Sequence, residues 1–279
     1  MYSPSLHGAC TLTVISSECR HVALKLFIHS NSMGSEQDNE LNVYKRIDKS
    51  PKYHRGRNAV RSLLDSFDVD GPEGRHRCLV HPPLWESVLN IRHRNPVRRL
   101  PEPVVAAVLQ SLFQALDLLH KECHFAHTDI KEANILLGAD ESVLRAFEQE
   151  ELNEPCPRKE LGGRTIYLTR ELGIPKDYGV PMLCDFGSAV LLDDVVEHRE
   201  DIQPDVYRAP EVILEIPWTC SVDIWNVGCM VSVNGSTERS RTDTSLFTHR
   251  SGTPSKASTY SPVKIQNSRP IGAGPILLR

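Results

Sequence analysis

The stretch HFAHTDIKEANILL (124–137) constrains the fold more than any other part of the chain. Asp129, Lys131 and Asn134 stand within a few residues of one another, between two strongly apolar segments. Upstream, from Pro101 to Lys121, apolar residues recur at 105, 108, 109, 112, 113, 116 and 119, the spacing of a helix with one buried face. Pro101 and Pro103 fall in or just ahead of its first turn, where a missing N–H leaves no bond unmade. Downstream, Ile135-Leu136-Leu137 reads as a short buried strand. A polar group held that close to a core costs roughly 2 kcal/mol or more unless it is bonded. The helix and the strand therefore hold an irregular polar loop between them.

Composition excludes several classes. A hydrophobic share of 40% and a charged share of 24% are ordinary for a globular protein. The formal net charge of −4 gives no electrostatic basis for nucleic-acid binding. The one basic cluster, IRHRNPVRR (91–99), reads as a solvated loop ahead of a helix, with a phosphate or RNA patch as the alternative. Eight cysteines are scattered without a C-x-x-C pair or ligand-like histidine spacing, which argues against zinc and against a disulfide framework. No basic-then-apolar leader opens the chain, and Gln110, Gln114 and Asp117 interrupt the longest apolar run. A soluble intracellular monomer, without nucleic acid or membrane, is expected.

The remaining elements follow in order. HVALKLFI (21–28) reads as a strand, and QDNELNVYKRI (37–47) as a helix with Leu41, Tyr44 and Ile47 on one face. HRCLVHPPLW (76–85) is a strand that must stop at Pro82-Pro83. Residues 138–182 are polar, with Pro155, Pro157, Pro175 and Pro181 breaking any long element. A strand at 180–184 leads into Asp185-Phe186-Gly187. APEVIL (209–214) and SVDIWNVGCM (221–230) read as two helices, and residues 231–279 as a disordered low-complexity tail.

The polar cluster suits phosphoryl transfer. That chemistry needs a carboxylate to orient the incoming hydroxyl, a cation beside the moving phosphate, and hard oxygen ligands for Mg²⁺. Asp129, Lys131 and Asn134 supply one of each. Asp185 adds a metal-binding carboxylate, and Lys25 in VALK a cation for the other phosphates.

In this order the residues resemble the protein-kinase signature: Val22-Ala23-Leu24-Lys25, a helix glutamate best placed at Glu40, His127-Thr128-Asp129-Ile130-Lys131 with Asn134, Asp185-Phe186-Gly187, Ala209-Pro210-Glu211, then Asp223, Trp225 and Gly228. The resemblance covers about 21–230. It implies a two-lobed α+β kinase fold with a small, mostly β N-lobe (21–85) and a helical C-lobe (86–230, with an insertion at about 138–182). It also implies ATP and Mg²⁺, catalysis by Asp129 and Lys131, and metal ligation by Asn134 and Asp185. Lys25 and Glu40 would set the nucleotide, and the Pro82 carbonyl and Leu84 N–H would pair with adenine. Thr128 in place of the usual arginine, the long insertion and EDIQPDVYRAPEVIL (200–214) resemble the serine/threonine kinases of Arg-Ser-rich splicing factors (SR-protein kinases), which act in the cytoplasm or nucleus on protein substrates. Activity without activation-loop phosphorylation is then expected. The same resemblance makes His127 a packed core histidine, His81 a wall of the nucleotide cleft, Cys184 a small buried hydrophobe, Trp225 core, and Asp223 a brace of the catalytic loop.

Two departures temper the resemblance. The only glycine ahead of Lys25 is Gly8, so the G-x-G-x-x-G phosphate cradle is missing. Residues 1–20 are atypical, and the chain leaves the pattern after Met230. A misassembled gene model is one expectation for those ends. An unpaired buried Glu211 and wet apolar faces on the last two helices are another. A catalytically inactive kinase fragment acting as a binding module is the alternative function. A small-molecule phosphotransferase is a third, disfavoured by YRAPE, which seats a peptide.

Overall fold

The computed structural model describes residues 9–15, 20–27, 34–71, 74–161, 164–192 and 197–235. Strands β1 (Ala9–Ile15), β2 (Arg20–Leu26), β3 (Asp65–Gly71) and β4 (Gly74–His81) form one antiparallel sheet in the order β1-β2-β4-β3. Alternation along these strands decides the site. Leu24, Val69, Cys78 and Val80 pack together on one face. Leu79 and Phe27 point to the other, against Val43, Tyr44 and Ile47 of helix α1 (Gly34–Lys49). Lys25 is the register partner of Leu79, so it projects toward α1. On α1, Glu40 shares the buried stripe of Leu41, Tyr44 and Ile47. The strand and helix periods thus turn the lysine and the glutamate toward one interface, and the packing of α1 on the sheet brings them face to face. β4 ends at His81, where Pro82 and Pro83 cannot donate to a ladder.

β5 (Leu84–Ser87) passes directly into helix α2 (Val88–Arg94), capped by Ser87 Oγ accepting from Asn90 N–H at 3.2 Å. The basic cluster expected as a loop thus begins as a helix. Two of its arginines are neutralised within the fold, Arg92 by Glu132 and Arg94 by Glu86 and Glu171.

Helix α3 (Glu102–Asp117) buries Val108, Leu112, Ala115 and Leu116 and widens into a π-turn over Leu118–Glu122. β6 (Phe125–Ala126) and β7 (Ile135–Gly138) bracket the polar loop. β7 is the middle strand between β5 and β10 (Pro181–Leu183), and β6 pairs with β11 (Val190–Leu191). Between β7 and β10 lies a helix that the proline-rich composition hid, α4 (Glu141–Asn153), which ends just before Pro155. It is followed by a hairpin of β8 (Arg158–Leu161) and β9 (Arg164–Tyr167). α5 (Pro210–Ile213) and α6 (Ser221–Gly235) complete the described chain, α6 running past Met230. The linker from Ser16 to Cys19 and the tail from 236 lie outside the described residues.

Candidate active site

The Lys25 Nζ donates to Glu40 Oε2 at 2.7 Å and to Asp185 Oδ1 at 2.9 Å. Glu40 is 1% exposed. Burial pushes its carboxyl up, and the charge of Lys25 brings it only part of the way back. Burial likewise raises Asp185, but the neighbouring ammonium of Lys25 outweighs it and holds that carboxyl below the usual range. Burial alone would lower Lys25; its two carboxylates reverse this and hold it well above the ordinary lysine value.

A second cluster forms on the polar loop. Lys131 Nζ donates to both Asp129 oxygens, at 2.9 and 2.8 Å. Asn134 Nδ2 donates to the Asp129 carbonyl and to its Oδ2, both at 2.9 Å. The two clusters are tied by backbone, since Cys184 N–H donates to the Asn134 carbonyl at 2.8 Å and places Asp185 beside it. Lys131 also contributes to lowering the Asp185 carboxyl. Lys25, Asp129, Asn134 and Asp185 therefore share one locality, although Lys25 and Asp185 are distant in sequence.

The loop is fixed from below. The Asp223 carboxylate, fully enclosed on α6, accepts from the His127 and Thr128 N–H groups at 2.8 Å each, and lies 2.8 Å from His120 Nε2. Thr128 has φ 65°, a left-handed conformation that costs a β-branched residue about 1 kcal/mol or more. Its Oγ1 donates to the Ser188 carbonyl at 2.6 Å, and together with Asp223 this holds it there. Asp185 is also left-handed, at φ 65°. His127 is fully buried, 3.1 Å from the Cys184 carbonyl, and Phe186 packs edge-on between Tyr44 and His127. Cys184 is buried as a small hydrophobe.

Three positions differ from expectation. His81 does not line a cleft: it is enclosed, packed 5.2 Å from the Tyr44 ring, with Nδ1 2.8 Å from the Ser62 carbonyl. Trp225 is 44% exposed, because its face of α6 meets no covering element among the described residues. Ile213, Leu214 and Ile224 are exposed alongside, as expected for those helices. Glu211 is only half-buried, with Ser221 Oγ at 3.5 Å, so no buried-charge cost arises there. Pro82 is half-buried in the link after β4, and Leu84 is buried opposite Gly138 of β7.

Three further participants were assigned no role from sequence. Asn39, beside Glu40, donates to the Gly187 and Ala189 carbonyls at 3.0 and 2.6 Å and fastens the Asp-Phe-Gly segment to α1. Gln203 Nε2 donates to the Val222 carbonyl, and its Oε1 accepts from Ala209 N–H. Arg92 reaches the 2% exposed Glu132 inside the polar loop at 2.7 Å.

A β-sheet carrying the lysine, a helix carrying its glutamate, and a loop and Asp-Phe-Gly turn meeting beneath them define a protein kinase. The protein kinase domain family model matches residues 7–239, and the chain belongs to that family. A serine/threonine protein kinase of Aspergillus fumigatus is 40% identical over 215 residues, covering 76% of this chain and 50% of that protein. The serine/threonine-protein kinase SRPK of Physarum polycephalum is 28% identical over 234 residues, 76% of this chain and 53% of its own. Human SRSF protein kinase 3 is 29% identical over 147 residues, 51% of this chain and 26% of its own. A crystal structure of a kinase domain shares the fold, with a TM-score of 0.60 and 23% identity over 84% of this chain and 62% of that one. The chain spans about half the length of the first two curated relatives.

Proposed function

We propose that the chain is the catalytic core of a serine/threonine protein kinase of the SR-protein kinase type, transferring the γ-phosphoryl of ATP to a Ser or Thr hydroxyl of Arg-Ser-rich protein substrates. The observation that carries this is the meeting of Lys25, Glu40 and Asp185 with Asp129, Lys131 and Asn134 around one locality. The donor set suits Mg²⁺. Both amide hydrogens of Asn134 are directed at Asp129, which leaves its carbonyl oxygen for a cation, and Asp185 keeps one carboxylate oxygen beyond the one facing Lys25. Bound Mg²⁺ would supply neutralisation of the phosphate oxygens.

Asp129 would orient the hydroxyl and accept its proton, its carboxylate aimed by Lys131 and Asn134. Lys131 would face the transferring phosphoryl and Lys25 the others, while Glu40 holds Lys25 in place. The Pro82 carbonyl and Leu84 N–H would meet the adenine edge. The kinase would act as a monomer in the cytoplasm or nucleus. The test is phosphate transfer from labelled ATP to an Arg-Ser repeat peptide. Asp129→Asn is expected to slow it by roughly 10²–10⁴-fold, the range for a positioned proton acceptor. Equal rates for the two proteins would overturn the assignment.

A second reading is a catalytically inactive kinase domain used for binding. The sequence between Gly8 and Lys25 has no glycine to let backbone N–H groups approach phosphates. Absence of any Mg·ATP-induced rise in melting temperature would favour this reading over the first.

A further inference from the structure

The insertion returns to the fold alongside the segment proposed to meet adenine. Tyr178 stacks on Trp85, with ring centroids 5.4 Å apart and planes 29° from parallel. Trp85 directly follows Leu84 on β5. The Arg94 guanidinium lies 5.9 Å from the Trp85 ring centre, within cation–π range. Its Nη2 donates to Glu86 on β5 at 2.8 Å and to Glu171 of the insertion at 3.1 Å. The backbone is joined as well. Gly138 N–H donates to the Val180 carbonyl at 3.2 Å, and a Cβ on Gly179 would sit 2.6 Å from Gly138. Gly138 is in turn the register partner of Leu84.

β5 needs such support. Its pairing with β7 is irregular between Leu84 and Ser87, so the ladder does not by itself fix Trp85. Pro82 and Pro83 bring no N–H to the link before it. Among the described residues the buried Trp85 indole N–H has no hydrogen-bond partner. Ring contacts, among them Tyr178 and Arg94, therefore hold that side chain in place of a polar anchor.

We propose that the insertion braces the link from β4 into β5 (residues 82–87): Tyr178, stacked on Trp85, positions the Leu84 N–H and the Pro82 carbonyl for the adenine of a bound nucleotide. Tyr178 is thus a positioning residue, and the insertion sets nucleotide affinity without touching the reacting atoms. This rests on the ATP reading above.

The experiment compares the full chain with Tyr178→Ala and Tyr178→Phe, reading Mg·ATP affinity by calorimetry and amide hydrogen exchange by mass spectrometry. Tyr178→Phe keeps the stack and should match the parent. Tyr178→Ala should weaken Mg·ATP binding by roughly two- to tenfold, the worth of one aromatic stack. It should speed exchange at 84–88 and in the paired strand β7 and leave 125–134 unchanged, and in turnover the KM for ATP should rise while kcat holds. Unchanged affinity in Tyr178→Ala, or faster exchange spread evenly over the chain, overturns the brace. If the parent chain binds no Mg·ATP, the kinase reading itself fails. Exchange then decides the brace alone: acceleration confined to 84–88 and the paired strand β7 supports it, and none overturns it.

Discussion

Replacing Lys25 by Met tests the centre of the site through stability, without needing turnover. Methionine keeps much of the stem's length and volume, so the change removes charge more than packing. The cost falls mainly on Glu40, which is 1% exposed and loses a partner at 2.7 Å. Removing one member of a buried ion pair costs about 3–5 kcal/mol. Asp185 has a side chain 34% exposed, and its share is about 1 kcal/mol or less. Against a total of about 5–15 kcal/mol, Lys25→Met should lower the urea midpoint sharply with little change in slope. The loss should also depend on pH. Glu40 is an acid whose folded value lies above its unfolded one, so protonation relieves the folded state as pH falls, and more so once Lys25 is gone. The penalty of Lys25→Met should therefore shrink on acidification. Lys25→Met with Glu40→Leu should recover most of the loss, because an apolar pair replaces the ion pair at little cost. A double variant as unstable as the single one, or a penalty that does not change with pH, would refute the reasoning.

His81 gives a second pH effect of opposite sign. Burial, reinforced by the charge of Arg61, pushes it from 6.5 down to about 3. The unfolded chain takes up a proton as pH falls through 6.5 while the folded chain does not, so stability is lost on acidification: about 2 kcal/mol between pH 7 and 5. His81→Phe should remove that slope in urea titrations at the two pH values. Asp223→Ala strips the acceptor from two loop N–H groups and should destabilise by about 3 kcal/mol or more, with Asp223→Asn losing less by the same measure. Thr128 offers no cation for an activation-loop phosphate, so phosphatase treatment should leave phosphotransfer to an Arg-Ser peptide unchanged, and abolished transfer would sink that expectation.

The candidate site residues from Lys25 to Asp223 were legible because the kinase signature they resemble sets which groups phosphoryl transfer needs and in what order along the chain. Glu40 could be picked out by the kinase resemblance and by its place one helix after Lys25; in the structure it shares the buried stripe of Tyr44 and Ile47, and the alternation of β2 turns Lys25 to the same side. The proline-rich insertion concealed α4, since the breakers follow that helix and do not fall inside it. Nor did any local pattern reveal that His81 would be enclosed, that Trp225 would be exposed, or that Asn39 and Gln203 would fasten distant carbonyls. Sequence alone determined which side chains are candidates for the chemistry and which face of each element they occupy, because those follow from residue type and the periods of helix and strand. Tertiary structure decided which of them are buried, paired or left in water, because burial and long-range hydrogen bonds depend on what else packs against each face.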